Sequence, residues 1–131
     1  MSAQVKWLAN QALLNLHEES IAQFGGSPGI RDIGLFESAM SRPQHLLAYE
    51  RTTSIFQLSA AYGFGLAKNH AFVDGNKRIA FLAIGVFLAI NNWRFHAAPV
   101  DAVDTVLSLA AGQLSEQELA HWIQRNSQER D

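Results

Sequence analysis

The sequence predicts an all-α fold, a compact bundle of about six helices, from three observations. Apolar residues recur at helical spacing along most of the chain. No stretch alternates convincingly between apolar and polar residues, as a half-exposed strand does. Residues 79–90 form a continuous apolar run, shorter than the roughly 20 residues of a membrane span. We therefore expect helix 76–90 to be the buried centre of the bundle, without a solvated face.

The composition fits one domain covering residues 1–131, since 48% of the residues are hydrophobic and 17% are charged. A net charge of −2 gives no basic surface, so we expect no direct nucleic-acid partner. The chain has no cysteine, which excludes disulfides and thiolate chemistry. The first residues do not resemble a secretory signal, so we expect a cytoplasmic protein with no membrane partner.

Helical spacing places the first helix over about residues 5–24, with Gly25 as the first residue of a stop signal. Inside it, His17 precedes Glu18 and Glu19, but no second histidine follows at the spacing of a zinc motif. We interpret these three residues as part of a solvated helix face.

The glycine-rich segment 25–32 is interpreted as a turn between helices, because it lacks the ending of a P-loop. Asp32 is placed to cap a short second helix, which we expect Pro43 to end. The following residues 44–53 have no clear period, which is also compatible with an ordinary loop or one helical turn.

A third helix is predicted from a cap at Thr53 or Ser54 to about Asn69. Gly63 and Gly65 weaken it intrinsically, which indicates close packing against the central helix.

After the central helix, Pro99 starts a fifth helix that Gly112 ends. Its predicted core stripe is Val100, Val103, Val106, Leu107 and Ala110. Ser115 and Glu118 form a capping box for the last helix, and the polar tail 126–131 is expected to fray.

The start of the central helix carries the residues that point to chemistry. Helix N-termini leave backbone N–H groups without partners and attract anions. Gly75 lets a phosphate approach closely, and Asn76, Lys77 and Arg78 add an amide, an ammonium and a guanidinium in the first turn. Because basic side chains oppose the helix dipole there, we interpret this turn as a phosphate-binding site.

The loop before this turn supplies the remaining candidates. His70 carries an imidazole, which can act as a general base near neutral pH. Asp74 offers a hard carboxylate oxygen to Mg²⁺, which bridges nucleotide phosphates in phosphoryl transfer. We expect Phe72 to anchor the loop in the core.

The run His70-x-Phe72-x-Asp74-Gly75-Asn76-Lys77-Arg78 resembles the signature of the Fic/Doc superfamily, and with lysine at its eighth position it is similar to the Doc toxin branch. The segment 25–43 also resembles that branch. The resemblance implies the Fic fold, with His70 as the base, Asp74 as the Mg²⁺ ligand and the Gly75–Arg78 turn as the nucleotide phosphate site. It further implies a short flap, here within residues 44–53, that aligns the target, and it makes Arg31 and Asp32 accessory candidates.

Two departures bear on the reaction that the resemblance implies. Fic enzymes that transfer AMP usually have glycine where Lys77 stands and a second arginine where Phe81 stands. The Doc branch shares both differences and is associated with phosphorylation of a translation elongation factor. The spacing of the motif does not by itself distinguish transfer of the γ-phosphate from transfer of AMP.

The leading hypothesis is a Doc-like toxin that uses ATP and Mg²⁺ to phosphorylate a hydroxyl of a translation factor such as elongation factor Tu. AMP transfer to a protein hydroxyl is one alternative, and a regulatory module that binds a nucleotide or partner without turnover is another. A toxin implies a small, Phd-like antitoxin, for which exposed members of Trp7, Tyr49 and Trp93 are candidate contacts.

Overall fold

The computed structural model describes residues 4–130, which form six helices and one small sheet. The helices are α1 (Asn10–Phe24), α2 (Ile33–Tyr49), α3 (Ile55–Asn69), α4 (Asn76–Ile90), α5 (Pro99–Ala110) and α6 (Glu116–Arg125). The strands are β1 (Trp93–Phe95) and β2 (Ser127–Glu129). The predicted all-α fold of about six helices is confirmed.

The centre of the fold is the packing of α4 against α3. Six residues of α4 that recur in pairs every four positions are buried: Ile79, Ala80, Ala83, Ile84, Phe87 and Leu88. The prediction that α4 has no exposed face is wrong, because Phe81, Leu82 and Val86 are only half-buried and Ala89 is exposed.

Gly63 of α3 confirms the predicted close packing of the two central helices. A methyl group placed at Gly63 would lie 2.6 Å from Cδ1 of Ile84 in α4. The capping box predicted for α3 is also present, because the Ser54 hydroxyl accepts the Gln57 N–H and the Gln57 side chain accepts the Ser54 N–H.

α1 begins later than predicted, at Asn10 rather than near Val5. The preceding segment is held by bonds that a helix would not make. Asn91 accepts the Lys6 N–H and donates to the Lys6 carbonyl, both at 2.9 Å, and the Leu8 N–H donates to the Tyr62 hydroxyl. These partners satisfy the backbone outside a helix.

The prediction that Pro43 ends the second helix is wrong, since α2 continues through Pro43 to Tyr49. A proline inside a helix costs one backbone hydrogen bond, and burial of the Pro43 ring against the core offsets part of that cost. The segment assigned to the flap is therefore helical over residues 44–49, and only residues 50–54 connect α2 with α3.

The predicted core stripe of α5 is wrong at several positions. Ala102, Val106 and Leu109 are buried, whereas Val100, Val103 and Leu107 are 72%, 58% and 50% exposed. α5 carries apolar residues on two faces, and periodicity alone does not decide which face meets the core.

The predicted fraying of the tail is also wrong for the residues that the structure describes. β2 pairs with β1 in antiparallel register, with Arg94 opposite Gln128 and Phe95 opposite Ser127. Backbone pairing of three residues requires no alternating pattern, so these short segments carry no strand signal. The capping box of α6 is present as predicted. None of the helices described over residues 4–130 combines the length and the hydrophobicity of a membrane span.

Candidate active site

A short loop, residues 70–75, joins the end of α3 to the start of α4, and we call it the motif loop. His70 is the C-cap of α3 and has the left-handed backbone conformation, with φ 51°. Gly75 precedes the first residue of α4 with φ 76°, a conformation that favours glycine. The candidate base and the start of α4 therefore stand at the two ends of one tight loop.

Asn76 fixes the shape of this loop from inside. Its side-chain oxygen accepts the Phe72 N–H and its side-chain nitrogen donates to the Phe72 carbonyl, both at 3.0 Å. The residue is only 5% exposed. Because the Asn76 amide is engaged within the loop, a phosphate contact from this residue would come from its backbone N–H.

The same amide determines which nitrogen of His70 holds a proton. Nδ2 of Asn76 lies 3.3 Å from Nδ1 of His70, and its orientation is set by the two Phe72 backbone groups. Nδ1 then accepts a hydrogen bond, so the neutral ring carries its hydrogen on Nε2.

Phe72 lies in the core, as expected of an anchor. It is 2% exposed and packs edge-on against Phe36 at 5.6 Å between ring centroids. His17 of α1 stacks on the other side, with 3.8 Å between the centroids and 17° between the rings. The rings of Phe36 and His17 thus hold the Phe72 side chain, and with it the motif loop, in place.

His17 is the site residue that the sequence interpretation missed. The prediction of a solvated face is wrong at this position, because His17 is 2% exposed and its Nε2 donates to the Asp74 carbonyl at 2.8 Å. A signal was present in the sequence, since His17 is four residues from both Leu13 and Ile21, which form the buried face of α1.

Asp74 places an ionised carboxylate at the surface of the motif loop. One oxygen accepts the Gly75 N–H at 2.8 Å and the other accepts the Ser27 N–H at 3.1 Å. These two bonds, assisted by the charges of Arg78 and His17, hold the pKa of Asp74 below its ordinary value of 3.8.

This carboxylate fits Mg²⁺, a cation that takes oxygen ligands and is often held by one or two carboxylates together with substrate phosphates. Within residues 4–130 no three metal-ligating side chains cluster together. Phosphate oxygens and water would therefore supply the other ligands.

The segment 25–32 supports the motif loop from outside. Arg31 donates from Nε to the His70 carbonyl at 2.7 Å and from Nη2 to the Asn69 carbonyl at 3.1 Å. The backbone N–H groups of Arg31 and Asp32 both donate to the Ala71 carbonyl. Arg31 thus holds the end of α3 that carries His70.

Asp32 is the N-cap of α2, as the sequence predicted. Its carboxylate accepts the Leu35 N–H at 2.9 Å, so its role in the structure is to begin a helix.

Arg78 has part of its hydrogen-bonding capacity engaged at the end of α1. Nη1 donates to the carbonyls of Gly25 at 3.0 Å and Ser20 at 3.3 Å, and the guanidinium carbon lies 5.6 Å from the Phe24 ring centroid. Its other guanidinium nitrogens make no hydrogen bond within residues 4–130. Lys77, the preceding residue, is exposed.

His70 and Lys77 line the same cleft, of about 710 Å³, which we call the His70 cleft. Its other wall is the second half of α5, and the complete lining is His70, Lys77, Asp104, Leu107, Ser108, Ala110, Ala111 and Gln113. Sequence reasoning did not find the residues of α5, because isolated polar residues on a helix are ordinary surface residues.

The all-α bundle, the exposed His70 and the basic turn at the start of α4 agree with the resemblance of the sequence to the Fic/DOC family. The chain belongs to that family, because residues 7–88 match the family model described as Fic/DOC.

Two relatives place it in the Doc branch. The chain is similar to "Protein kinase doc" of Escherichia phage P1, with 32% identity over 121 residues, 92% of this chain and 95% of the relative. It is also similar to "Toxin Doc" of Mycolicibacterium smegmatis, with 46% identity over 72 residues, 52% of this chain and 53% of the relative.

Proposed function

We propose that this protein is a Doc-like toxin that transfers the γ-phosphate of ATP to a hydroxyl side chain of a translation factor such as elongation factor Tu. The names of its two relatives, a protein kinase and a toxin, support a protein-modifying transferase of a toxin–antitoxin system. The structural observation that carries the proposal is the shared cleft of His70 and Lys77 at the start of α4.

The chain's own groups fit the parts of such a reaction. The free N–H groups at the start of α4 and the Lys77 ammonium bind the phosphates. His70 takes the proton of the target hydroxyl while the hydroxyl oxygen attacks the γ-phosphorus. The bond between that phosphorus and the oxygen of the leaving ADP breaks. Arg31 and Asn76 hold the ends of the motif loop while this happens.

Asp74 would hold Mg²⁺ through its exposed carboxylate. When bound, the cation neutralises charge on the phosphates.

The proposed partners are a small Phd-like antitoxin and the translation factor, both in the cytoplasm. Of the three aromatic residues suggested for antitoxin contact, Tyr49 is 91% exposed. Trp7 and Trp93 are half-buried and pack against Phe87 and Phe56. Tyr49 is therefore the candidate we retain for that contact.

The test is incubation with candidate translation factors and ATP labelled at either the γ- or the α-phosphate. Label from the γ position alone is expected on the target. Label from the α position on the target would mean that the protein transfers AMP rather than phosphate. Absence of both labels, together with tight nucleotide binding, would favour a regulatory module.

A His70→Ala variant is expected to bind the nucleotide and lose transfer. His121→Ala is the matched control, because His121 is exposed on α6 and does not line the His70 cleft. A His70→Ala variant that transfers label at the wild-type rate would contradict the assignment of the base.

A further inference from the structure

We propose that the groove between α4 and α5 binds the nucleoside part of the nucleoside triphosphate. This inference rests on the proposed function, because it assumes that the protein uses such a donor. It adds the position of the nucleobase and the residues that contact it.

The groove, which we call the α4–α5 groove, has a volume of about 470 Å³, within the range of about 300–1,000 Å³ typical of small-molecule sites. Two of its lining residues are charged and the others are apolar. The complete lining is Lys77, Arg78, Phe81, Ala97, Pro99, Ala102, Val103, Val106 and Leu107.

Phe81 gives the groove an aromatic residue whose position is fixed by its neighbours. Its ring centroid lies 5.7 Å from that of Phe95, which in turn packs edge-on against the buried Trp122 at 5.4 Å. A nucleobase is a flat aromatic group, and stacking on a protein ring is a common way to bind it.

The α5 side of the groove supplies apolar residues that the fold leaves uncovered. Val103 and Leu107 are 58% and 50% exposed, although both were predicted to be core residues. A flat base lying between this wall and Phe81 would remove both side chains from water, which is favourable.

The charges and the position of the groove select a phosphorylated occupant. Lys77 and Arg78, its two charged lining residues, belong to the first turn of α4, where anions are stabilised. Lys77 and Leu107 line both this groove and the His70 cleft, so the two spaces adjoin. One extended ligand can therefore place its base in the groove, its phosphates beside Lys77 and its terminal phosphate in the cleft of His70.

The chemistry of the lining also predicts low selectivity for the base. The apolar residues of the groove offer stacking and dispersion but no side-chain hydrogen bonds to the edge of a base. Because every base has a π-face, ATP and GTP are expected to bind with affinities within about threefold of each other.

The experiment compares the binding of ATP, GTP and inorganic tripolyphosphate to the full chain by calorimetry, each with Mg²⁺. Phe81→Ala and Val103→Asn are expected to weaken ATP and GTP about tenfold and to leave tripolyphosphate unchanged, because only the nucleotides carry a base to stack. Val103 is exposed, so its variant tests the groove even where Phe81→Ala disturbs packing.

Val100→Asn is the matched control. Val100 is exposed on the same helix, three residues from Val103, and does not line the groove. Its variant is expected to bind ATP as the wild type does.

Failure of this inference differs from failure of the proposed function. Equal affinity of the wild type for ATP and tripolyphosphate, or ATP binding that Phe81→Ala and Val103→Asn leave unchanged, would overturn the groove as the nucleoside site while nucleotide use stands. Loss of antitoxin binding in Val103→Asn but not in Val100→Asn, with unchanged ATP binding, would assign the groove to a protein partner instead. No binding of any of the three ligands would remove the proposed function itself.

Discussion

The imidazole of His17 lies flat against the ring of Phe72, with 3.8 Å between the ring centroids. The same imidazole donates from Nε2 to the Asp74 carbonyl, so one buried side chain of α1 contacts the motif loop at two residues. A methyl group at Gly75 would lie 3.5 Å from that Nε2, which places a third loop residue in contact range. His17 therefore supports the motif loop from the side of α1.

Replacement of His17 separates stacking from hydrogen bonding. His17→Phe keeps a ring against Phe72 and leaves the Asp74 carbonyl without its donor, which is expected to cost about 1–3 kcal/mol in the free energy of unfolding. His17→Ala also opens a cavity and is expected to cost about 3–5 kcal/mol, as aromatic-to-alanine changes in cores do. Urea unfolding followed by circular dichroism measures both changes.

Glu19→Ala is the control for α1, because Glu19 is exposed and surface substitutions usually change stability by less than about 0.5 kcal/mol. A His17→Ala protein as stable as Glu19→Ala would show that the motif loop does not depend on His17.

Asp74 should make the stability of the protein depend on pH in the acid range. Its pKa in the folded state lies below the ordinary value of 3.8, because the carboxylate accepts the Ser27 and Gly75 N–H groups. Its contribution is present above that ordinary value and is lost as the pH falls through the folded-state pKa. Asp74→Asn is therefore expected to be less stable than the wild type at neutral pH, and thermal unfolding over a pH series should show the difference shrinking in acid. A constant difference across the series would contradict this assignment.

Gly26 is expected to control the position of the Asp74 carboxylate. Its φ is +118°, and a methyl group there would lie 2.9 Å from Oδ2 of Asp74. Gly26→Ala should therefore lower stability by about 1–3 kcal/mol through backbone strain and also displace the carboxylate, which raises the Mg²⁺ concentration needed for transfer.

Gly25→Ala provides the matched control for Gly26→Ala. Gly25 also has a positive φ, +90°, but a methyl group there meets no atom within 4 Å. The control should show the strain without the change in Mg²⁺ requirement, and an identical Mg²⁺ requirement in both variants would exclude displacement of Asp74.

Arg31 is expected to act on turnover rather than on nucleotide binding. Its two hydrogen bonds hold the Asn69 and His70 carbonyls, and it does not line the His70 cleft. Arg31→Ala should lower kcat about tenfold and leave the KM for ATP unchanged, because a misplaced His70 weakens stabilisation of the transition state only.

In Arg31→Lys, a single ammonium cannot reproduce the two hydrogen bonds that the planar guanidinium donates to the Asn69 and His70 carbonyls. Its kcat should therefore be close to that of Arg31→Ala. Arg94→Ala, at an exposed position on β1, is the control. A rise in KM with unchanged kcat in Arg31→Ala would mean that Arg31 binds the nucleotide.

The predictions that held depend on local chemistry. α4 begins at Asn76 and ends at Ile90 as expected, because a glycine loop and an apolar run define its two ends. The caps at Ser54, Ser115 and Asp32 are present because they use side chains within three residues of the groups they bind.

The predictions that failed depend on contacts between distant segments. Pro43 and the 126–131 tail were interpreted from their own composition, whereas burial of the proline ring and pairing of β2 with β1 decided their structure. His17 follows the same rule, since its two partners in the motif loop are more than 50 residues away along the chain.

The helical fold and the family could be predicted from short-range features alone, because periodicity, caps and a contiguous motif all lie within neighbouring residues. Tertiary structure alone decided that α1 supports the motif loop through His17 and that α5 turns Val103 and Leu107 outward beside Lys77. The physical reason is that an apolar or aromatic side chain gains the same free energy against any well-packed surface. Only the arrangement of the whole chain selects the surface that each side chain meets.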